Sequence, residues 1–226
     1  MHQWNIYNNF DSASVAAAEF IADKIKQCCQ QQDQCHVVLP GGNTPASCLS
    51  ELASMNLPWE RIHWYVGDER VCAKDDEQRN DLMLEKNFWS KLPAGNFHTI
   101  ATELGMEQAI DEYTDVINKV EKMDIAFLGL GEDGHTASLF PDNKALENTS
   151  SVVAVYDSPK PPPLRVSLGL SYLRESKLKM ILAAGAGKAA VLKSIKQGVD
   201  FPVNKLGDIH WFVDQQAMPV STDSTD

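Results

Sequence analysis

The sequence predicts an α/β fold of three layers, in which helices cover both faces of a mainly parallel central sheet, as in Rossmann-like domains. Short apolar runs with the pattern of buried strands alternate with stretches of helical periodicity through most of the chain, and this alternation is typical of parallel sheets. Glycine-rich or charged motifs directly follow several of these strands, where ligands bind in open α/β sheets. The 226 residues show no shift in composition, so residues 1–226 are expected to form one domain.

The individual elements follow from the spacing of apolar residues. Helical spacing between Val15 and Cys29 predicts a first helix, with Ser12 or Ser14 as its cap. Further helices are predicted at 45–55, 80–92, 109–120 and 188–196, and strands at 35–40, 61–67, 123–131, 151–156, 178–185 and 209–214. The Pro-rich stretch 158–165 is expected to be a stiff surface loop, and the polar tail 220–226 to be disordered.

Composition and charge restrict the partners of the chain. The formal net charge of −11 argues against nucleic acid or an anionic membrane surface. A small anionic ligand stays open, because charges beyond about 10 Å are largely screened by salt. No apolar stretch approaches the ~20 residues that span a bilayer, and the N-terminus lacks a secretory pattern. We expect a cytoplasmic protein with no membrane contact, either a monomer or a weak homodimer.

Cysteine and histidine spacing predicts neither disulfides nor a metal site. The five cysteines, which are Cys28, Cys29, Cys35, Cys48 and Cys72, are odd in number, and no pair has zinc-ribbon spacing. They are expected to be reduced structural thiols. The six histidines do not pair at ligand spacing. No metal and no cofactor are expected.

The motif "LPGGNTPAS" at 39–47 has the composition of a phosphate-binding loop. Gly41 and Gly42 follow a predicted strand, and a helix begins near Pro45. Glycines allow a sharp turn that presents backbone N–H groups, and the helix N-terminus adds a positive dipole end. Asn43 and Thr44 supply further side-chain donors. No lysine follows the glycines, so this is not a Walker loop; a plain strand-to-helix turn is the alternative.

Three further segments carry cations or acids at predicted strand ends. "GDER" at 67–70 offers Asp68 and Arg70, which suit a polyol and a phosphate, although an exposed charged turn is the alternative. In "GAGKAAVLK" at 185–193, Lys188 lies in the first turn of a helix, where a cation opposes the helix dipole. Such a placement hints at an anionic ligand. Arg165 is another isolated cation, at the start of "RVSLGLSYL".

The motif "LGLGEDGHTASLFP" at 128–141 holds the candidate catalytic residue. It follows a buried strand, and His135 stands between Gly134 and Thr136 at the strand end. The glycine spacing fits a dinucleotide fingerprint only loosely, because no second strand ending in an acid follows about 20 residues later. If the four strand-end motifs converge, they describe a pocket for a phosphorylated polyol with a general acid/base inside it.

With these motifs assembled, the chain resembles the glucosamine-6-phosphate isomerase/6-phosphogluconolactonase family, and within it the lactonases, over about residues 10 to 215. "DIAFLGLGEDGHTASLFP" matches the family signature G-x-G-x-D-G-H-x-A-S-L-F-P, and "GDER" matches outright. "LPGGNTP", "SPKPPPLRVSL" and "GAGKAAVL" resemble further family segments. Two departures are the Leu39-Pro40 and Asn43 of the first motif, and Arg79 before Asn80, where the family more often has Ser-Asn.

The resemblance implies a fold like that of glucosamine-6-phosphate deaminase and the hydrolysis of 6-phospho-D-glucono-1,5-lactone, a phosphorylated sugar lactone. We expect His135 to activate water as a general base, and Asp133 to orient its ring. The loop 41–44, Arg165 and Lys188 are expected to bind the phosphate, with Arg70 as a further partner. Backbone N–H groups of the glycine loops or Arg70 are open alternatives for the oxyanion donors.

Two other functions are alternatives to lactone hydrolysis. Deaminases of the same family typically follow the histidine with I-A-F-N-E-P, whose Glu takes part in ring opening, and tend to have D-E-Y at the second motif. Here Thr136–Pro141 contains no Glu, and Asp68-Glu69-Arg70 replaces D-E-Y. Related folds also serve as sugar-phosphate sensor domains of transcription regulators. Those carry a helix-turn-helix segment, which this acidic sequence lacks.

Overall fold

The computed structural model describes residues 2–218, and the tail predicted to be disordered, 220–226, lies outside the described residues. Its α-helices are α1 Phe10–Gln31, α2 Thr44–Ala53, α3 Asn80–Asn87, α4 Met106–Ile117, α5 Leu170–Arg174 and α6 Ala189–Lys196. Its strands are β1 Gln3–Tyr7, β2 Cys35–Leu39, β3 Ile62–Val66, β4 Asp68–Arg70, β5 Asn96–His98, β6 Ile125–Leu128, β7 Val152–Val155, β8 Arg165–Leu168, β9 Leu178–Ala183 and β10 His210–Asp214. Strands and helices alternate, as the sequence predicted.

A seven-stranded parallel sheet forms the centre of the fold, in the order β1-β10-β9-β6-β2-β3-β5. Helices cover both of its faces, which confirms the predicted three-layer α/β class. All four residues of β6 are buried, as in parallel strands covered on both sides. Each fully buried Val, Leu, Ile or Phe contributes about 1.5–3 kcal/mol. The largest of the fully buried side chains include Trp64, Trp211, Tyr65, Tyr113, Phe88 and Phe127.

A second, three-stranded antiparallel sheet, β4-β8-β7, was not predicted as such. The segment 151–156 does form a strand, but it pairs with β8 rather than joining the parallel sheet. The charged motif at 67–70 is itself a short strand, not an exposed turn, because its backbone pairs with 165–167. The small sheet therefore carries Asp68, Arg70 and Arg165 on paired strands.

Both ends of α1 are capped by residues that the sequence analysis did not assign to them. The predicted caps of α1, Ser12 and Ser14, are wrong: Asn9 is the N-cap, and its side chain accepts a hydrogen bond from the Ser12 amide at 2.8 Å. Asparagine one turn earlier provides the same acceptor. The other end of α1 is closed by Arg61, whose guanidinium donates to the carbonyls of Cys29, Gln32 and Asp33 at 2.8 Å each and so satisfies free helix-end acceptors.

Histidines gather near one edge of the parallel sheet. His63 Nδ1 and His98 Nε2 lie 3.0 Å apart on neighbouring strands, and their rings stack. His36 packs beside His63 and shares a 3.0 Å hydrogen bond with the Tyr65 hydroxyl. Burial first, and then His63, His36 and Lys119, lower the pKa of His98 to about 4. The cluster therefore consists of neutral imidazoles at neutral pH.

The strand order brings the predicted motifs together. The three central strands, β2, β6 and β9, are neighbours, and all run in the same direction. Their carboxyl ends lead into the loop at 40–44, the loop at 129–135 and the loop at 184–188. Strand β3 lies beside β2 and leads directly into the charged strand β4. Four motifs that are distant in sequence therefore share one edge of the sheet.

Candidate active site

A cavity of about 310 Å³ opens at this edge of the sheet. As far as the described residues show it, its wall includes His135 and all the predicted binding residues, which are Gly41, Gly42, Asn43, Thr44, Asp68, Arg70, Arg165 and Lys188. Asp133 is outside the lining and lies directly behind His135. The wall also contains Lys160 and Asn80, which the site prediction did not include. Cations and amides thus surround one histidine, an arrangement that suits an anionic, hydroxylated ligand.

The glycine loop has the geometry of an anion cradle. Gly42 has a φ of +87°, a left-handed conformation that favours glycine, and Asn43 is the N-cap of α2 without a side-chain cap bond. The amides of Gly42, Asn43 and Thr44 donate to no other described residue. These donors at a helix N-terminus are available to a ligand. Pro45 occupies the first turn of α2, where its missing N–H costs nothing.

Asn80 packs against this loop. A Cβ on Gly41 would lie 1.8 Å from Asn80 Oδ1, so only glycine allows the two segments to approach this closely. The Asn80 side chain also donates to the Asp68 carbonyl at 2.6 Å. Asn80 therefore joins the glycine loop to strand β4, a role that no local sequence pattern indicates.

Glu69, the acid between Asp68 and Arg70, is fully buried and turned away from the cavity wall. Its carboxylate accepts hydrogen bonds from the amides of Arg70, Asn80 and Asp81 at 2.8–2.9 Å. Burial raises the pKa of Glu69 to about 7, although these three amides lower it. Glu69 thus caps the N-terminus of α3 from a neighbouring strand.

His135 and Asp133 form a hydrogen-bonded dyad. His135 Nδ1 lies 2.5 Å from Asp133 Oδ1. Because the carboxylate accepts this bond, Nδ1 carries the proton, and Nε2 is left with a free lone pair. Gly131 makes room for the pair: a Cβ there would lie 2.0 Å from His135 Nδ1 and 2.6 Å from Asp133 Oδ1. The glycines of the signature therefore have a steric function beside the dyad.

The environment keeps His135 neutral at pH 7. Burial lowers the pKa of His135 below 6.5, against the opposing effects of Asp133 and Asp68. Burial alone would raise the pKa of Asp133, but the charge and hydrogen bonds of His135 reverse this, and the pKa of Asp133 is lowered. Both pKa values are therefore lowered, and above pH 6.5 the dyad consists of a neutral imidazole beside a carboxylate. A neutral imidazole with a free Nε2 is a competent general base.

The residues after His135 attach its loop to the small sheet. Thr136 Oγ1 donates to the Gly129 carbonyl at 2.9 Å and closes the loop on itself. Buried Ser138 donates to Asp68 Oδ2 at 2.5 Å. The Ser-Leu-Phe stretch therefore contributes a hydroxyl that holds Asp68 at the cavity, a partner that the sequence analysis did not assign.

Arg165 is buried, and much of its guanidinium is already engaged. It donates to the carbonyls of Lys160, Pro161 and Pro162 at 2.9, 3.4 and 3.3 Å. Its Cζ also lies 5.4 Å from the centre of the Phe140 ring. Arg165 therefore holds the Pro-rich segment against the cavity, and this segment is a structured wall rather than only a surface loop. Its predicted contact with the phosphate stays a prediction.

Of the described residues, Lys188 and Lys160 are the two lysines of the cavity wall. Lys188 is the N-cap residue of α6, so its charge lies at the positive end of the helix, as predicted. Burial lowers its pKa, which Lys160 also lowers and Glu132 raises. Within residues 2–218, Lys188 Nζ donates no hydrogen bond to another residue. An anion in the cavity would relieve this desolvated charge.

Potential metal ligands lie away from the cavity. Ligand atoms of Cys28, Cys35 and Asp124 lie within 4.8 Å of one another. Asp124 is already occupied: its carboxylate accepts from Lys177 Nζ at 2.7 Å and from the His36 amide at 2.8 Å. Burial raises the pKa of Cys28 to about 11 and that of Cys35 further, so both are protonated thiols at neutral pH. A metal ion would have to displace Lys177 and the protons of both thiols. We therefore interpret Cys28, Cys35 and Asp124 as a structural cluster rather than a metal site.

Known proteins are similar to this chain over most of its length. The family model described as "Glucosamine-6-phosphate isomerases/6-phosphogluconolactonase" matches residues 8–211. The 6-phosphogluconolactonase of Thermotoga maritima is 33% identical over 190 residues, covering 81% of this chain and 84% of the relative. The chain belongs to the glucosamine-6-phosphate isomerase/6-phosphogluconolactonase family. The human 6-phosphogluconolactonase is 30% identical over 243 residues, covering 96% of this chain and 93% of that protein.

Solved structures agree with membership of this family. The crystal structure of the Thermotoga maritima 6-phosphogluconolactonase superposes with a TM-score of 0.87 at 29% identity, covering 95% of this chain and 100% of the other. A monomeric glucosamine-6-phosphate deaminase has a TM-score of 0.82 at 20% identity, covering 94% and 97%, which shows the shared fold alone. The resemblance identified from the motifs, and the prediction of an enzyme, are confirmed. None of the helices within residues 2–218 has the length and hydropathy of a membrane span.

Proposed function

We propose that this chain hydrolyses 6-phospho-D-glucono-1,5-lactone to 6-phospho-D-gluconate, a step of the oxidative pentose phosphate pathway. The observation that carries the proposal is the dyad: Asp133 holds Nδ1 of a neutral His135 and leaves Nε2 free beside a cation-lined cavity. Curated relatives of similar length are named 6-phosphogluconolactonases, which supports the same substrate.

In this proposal His135 activates water. Nε2 takes a proton from a water molecule as its oxygen attacks the lactone carbonyl, and Asp133 stabilises the imidazolium that forms. The tetrahedral intermediate then collapses, the bond from the carbonyl carbon to the ring oxygen breaks, and the imidazolium returns the proton to that oxygen. A positioned base of this kind accelerates hydrolysis typically ~10²–10⁴-fold.

The developing oxyanion requires donors near the carbonyl. Backbone N–H groups of the glycine loops and the Arg70 guanidinium both line the cavity with His135. Preorganised donors of this type stabilise a transition state without reorganisation. Arg70 is one candidate, because its Nε is buried and has no hydrogen-bond partner among residues 2–218, while its Nη1 donates to the Gln78 carbonyl. The backbone N–H groups are the other.

The phosphate is proposed to lie on the other side of the same cavity. The free amides of the loop 41–44 and the desolvated Lys188 offer the strongest anion site, and Arg165 and Lys160 add positive charge. Asp68, held by Ser138, is left for hydroxyl groups of the sugar. The base and the phosphate site thus engage different ends of one substrate.

Deamination of an amino sugar phosphate is the related alternative within the family. The loop that follows His135 presents Ser138 to Asp68, and no glutamate lies between Thr136 and Pro141. A carboxylate for ring opening is therefore missing from this stretch, which favours the lactonase proposal.

The test is acid release from freshly generated 6-phosphogluconolactone, followed spectrophotometrically and corrected for spontaneous hydrolysis. The proposal expects saturable hydrolysis that His135→Ala reduces by about 10²-fold or more with the fold intact. Ammonia release from glucosamine-6-phosphate is the control for the alternative. Ammonia release without lactone hydrolysis would overturn the proposal, and a normal kcat in His135→Ala would overturn the role of the base.

The proposal includes the location, the oligomeric state and the partners of the enzyme. We propose a cytoplasmic enzyme, a monomer or weak homodimer, that needs no nucleic-acid partner. The formal net charge of −11 supports the last point, because a polyanion would be repelled.

A further inference from the structure

Arg79 is a buried charge just outside the cavity lining. Its side chain is 1% exposed, and it makes a bidentate pair with Asp81 at 2.8 and 2.6 Å and an ion pair with Glu103 at 2.8 Å. It also donates to the Ile100 carbonyl at 3.2 Å. The hydrogen bonds of Asp81 are the main cause that raises the pKa of Arg79, so the charge is permanent. The segment before α3 is thereby fixed to the segment 100–103.

Two routes lead from Arg79 to the cavity wall. Its Nη1 donates to Thr102 Oγ1 at 3.1 Å, and that hydroxyl donates to the Arg70 carbonyl at 2.7 Å. Arg79 is also the N-cap residue of α3, so it sets the position of the next residue, Asn80. Asn80 donates to the Asp68 carbonyl and lies against Gly41. Both strand β4 and the glycine loop are therefore attached to Arg79 through one intermediate residue.

We propose that Arg79 is a positioning residue that holds the phosphate-binding wall, namely the loop 41–44 and Arg70, in its binding geometry. The inference rests on the proposed function, because it assigns a role within that same site. Arg79 lines a neighbouring cavity that shares Gly42, Asn43, Arg70 and Asn80 with the first. Its side chain is nevertheless only 1% exposed, so it acts through Thr102 and Asn80 rather than by touching substrate.

The chemistry of the network requires arginine. The planar guanidinium directs Nε and Nη2 to Asp81 and Nη1 to Glu103 and Thr102 at the same time. A lysine keeps the charge but has a single ammonium that cannot reproduce this fork. The substitution Arg79→Lys therefore loosens the wall while it keeps the buried carboxylates paired with a cation.

The wall carries substrate-binding groups, whereas His135 and Asp133 belong to the separate loop after β6. A displaced wall therefore weakens substrate binding more than it changes proton transfer. We expect Arg79→Lys to raise KM for the lactone about three- to ten-fold, with a smaller loss of kcat and an unchanged pH profile, because the base is not displaced. Thermal melting measured alongside ensures that the assay temperature lies well below the transition.

The matched control is Arg61→Lys. Arg61 also donates three hydrogen bonds, all to backbone carbonyls at the end of α1, and it lies outside the cavity lining. A purely structural role of Arg79 predicts that both variants lose thermal stability and keep KM. That outcome would overturn the inference. If the wild-type protein itself shows no lactone hydrolysis, the proposed function fails instead, and the two failures are thus distinguished.

A second variant covers the case in which Arg79→Lys does not fold. Thr102→Val removes only the hydroxyl that connects Arg79 to the Arg70 carbonyl. The inference expects a KM increase here as well, together with weaker protection from thermal unfolding by 6-phosphogluconate. An unchanged KM and unchanged protection in a folded Thr102→Val variant would refute it.

Discussion

Asp133 Oδ1 lies 2.5 Å from His135 Nδ1, and this one contact fixes which ring nitrogen is free to act. An amide in place of the carboxylate can donate to Nδ1, which moves the ring proton to Nε2. Asp133→Asn should therefore lower kcat about 10²-fold while KM changes little. Steady-state kinetics checks this, with Asp142→Asn at an exposed turn as the control. A kcat close to wild type would remove Asp133 from the mechanism.

The pH dependence of activity should have its acid limb below the ordinary range of histidine. Burial lowers the pKa of His135 below 6.5, and the base must be neutral to accept a proton. Activity is thus full above pH 6.5 and falls as pH drops through the lowered pKa. A profile of kcat/KM from pH 4.5 to 8, corrected for spontaneous hydrolysis, measures it. An acid midpoint above 6.5 would contradict the assignment.

Two glycines of the signature loop give a sharp steric comparison. A Cβ on Gly131 would lie 2.0 Å from His135 Nδ1, whereas no atom of the described residues lies within 4 Å of a Cβ on Gly129. Gly131→Ala should reduce kcat about 10²-fold, because it displaces the dyad. Gly129→Ala should reduce kcat far less, because it leaves the dyad in place although Gly129 also lines the cavity. Equal kcat values for the two variants would show that the dyad tolerates displacement.

Lys188 should contribute to binding rather than to chemistry. Its charge is desolvated at the start of α6 and donates no hydrogen bond within the described chain. Lys188→Ala should raise KM about ten- to a hundred-fold, the range of one charge-assisted hydrogen bond, with a smaller effect on kcat. Lys193→Ala, on the exposed side of the same helix, is the matched control. A loss confined to kcat would place Lys188 at the reacting carbonyl.

The histidine cluster at the sheet edge should make stability sensitive to acid. The pKa of His98 is lowered to about 4, from 6.5 in an unfolded chain, so the unfolded state binds the proton more readily. Stability is therefore complete above pH 6.5 and is lost as pH falls toward 4. His98→Gln should reduce this pH dependence of Tm, which calorimetry at several pH values would show. A dependence identical to wild type would assign the acid sensitivity to other groups.

The sequence predicted the layers of the fold and the convergence of its motifs because both depend on local patterns. Apolar runs such as Ile125–Leu128 define buried strands, and motifs after parallel strands must meet at one edge. The antiparallel sheet could not be predicted in this way, because the three residues 68–70 are too few to show the periodicity of a strand. Their pairing with 165–167 is a contact between segments that are far apart in the sequence. The same is true of the edge strands β1 and β5, which were not predicted.

Within the candidate site, the sequence pointed to the residues that face the cavity but not to those that hold them. Ser138 and Asn80 both hydrogen-bond to Asp68, but nothing in the sequence indicates this pairing. Asp68 is 70 residues from Ser138 and 12 residues from Asn80. Arg79 was noted only as a departure from a family pattern. Its partners at 100–103 follow no motif. Long-range hydrogen bonds have no local signature, and the positioning network therefore required a structure.

Arg70 and Arg165 are register partners across the β4–β8 ladder. Like charges directly opposite each other destabilise an antiparallel pair, and each lies on the wall of the cavity. A dianion bound at this wall would offset the repulsion between the two arginines and strengthen the pairing of β4 with β8. Ligand affinity and the local stability of the small sheet should therefore rise together, whereas loss of the Arg165 guanidinium would also leave the carbonyls of Lys160, Pro161 and Pro162 without their donor.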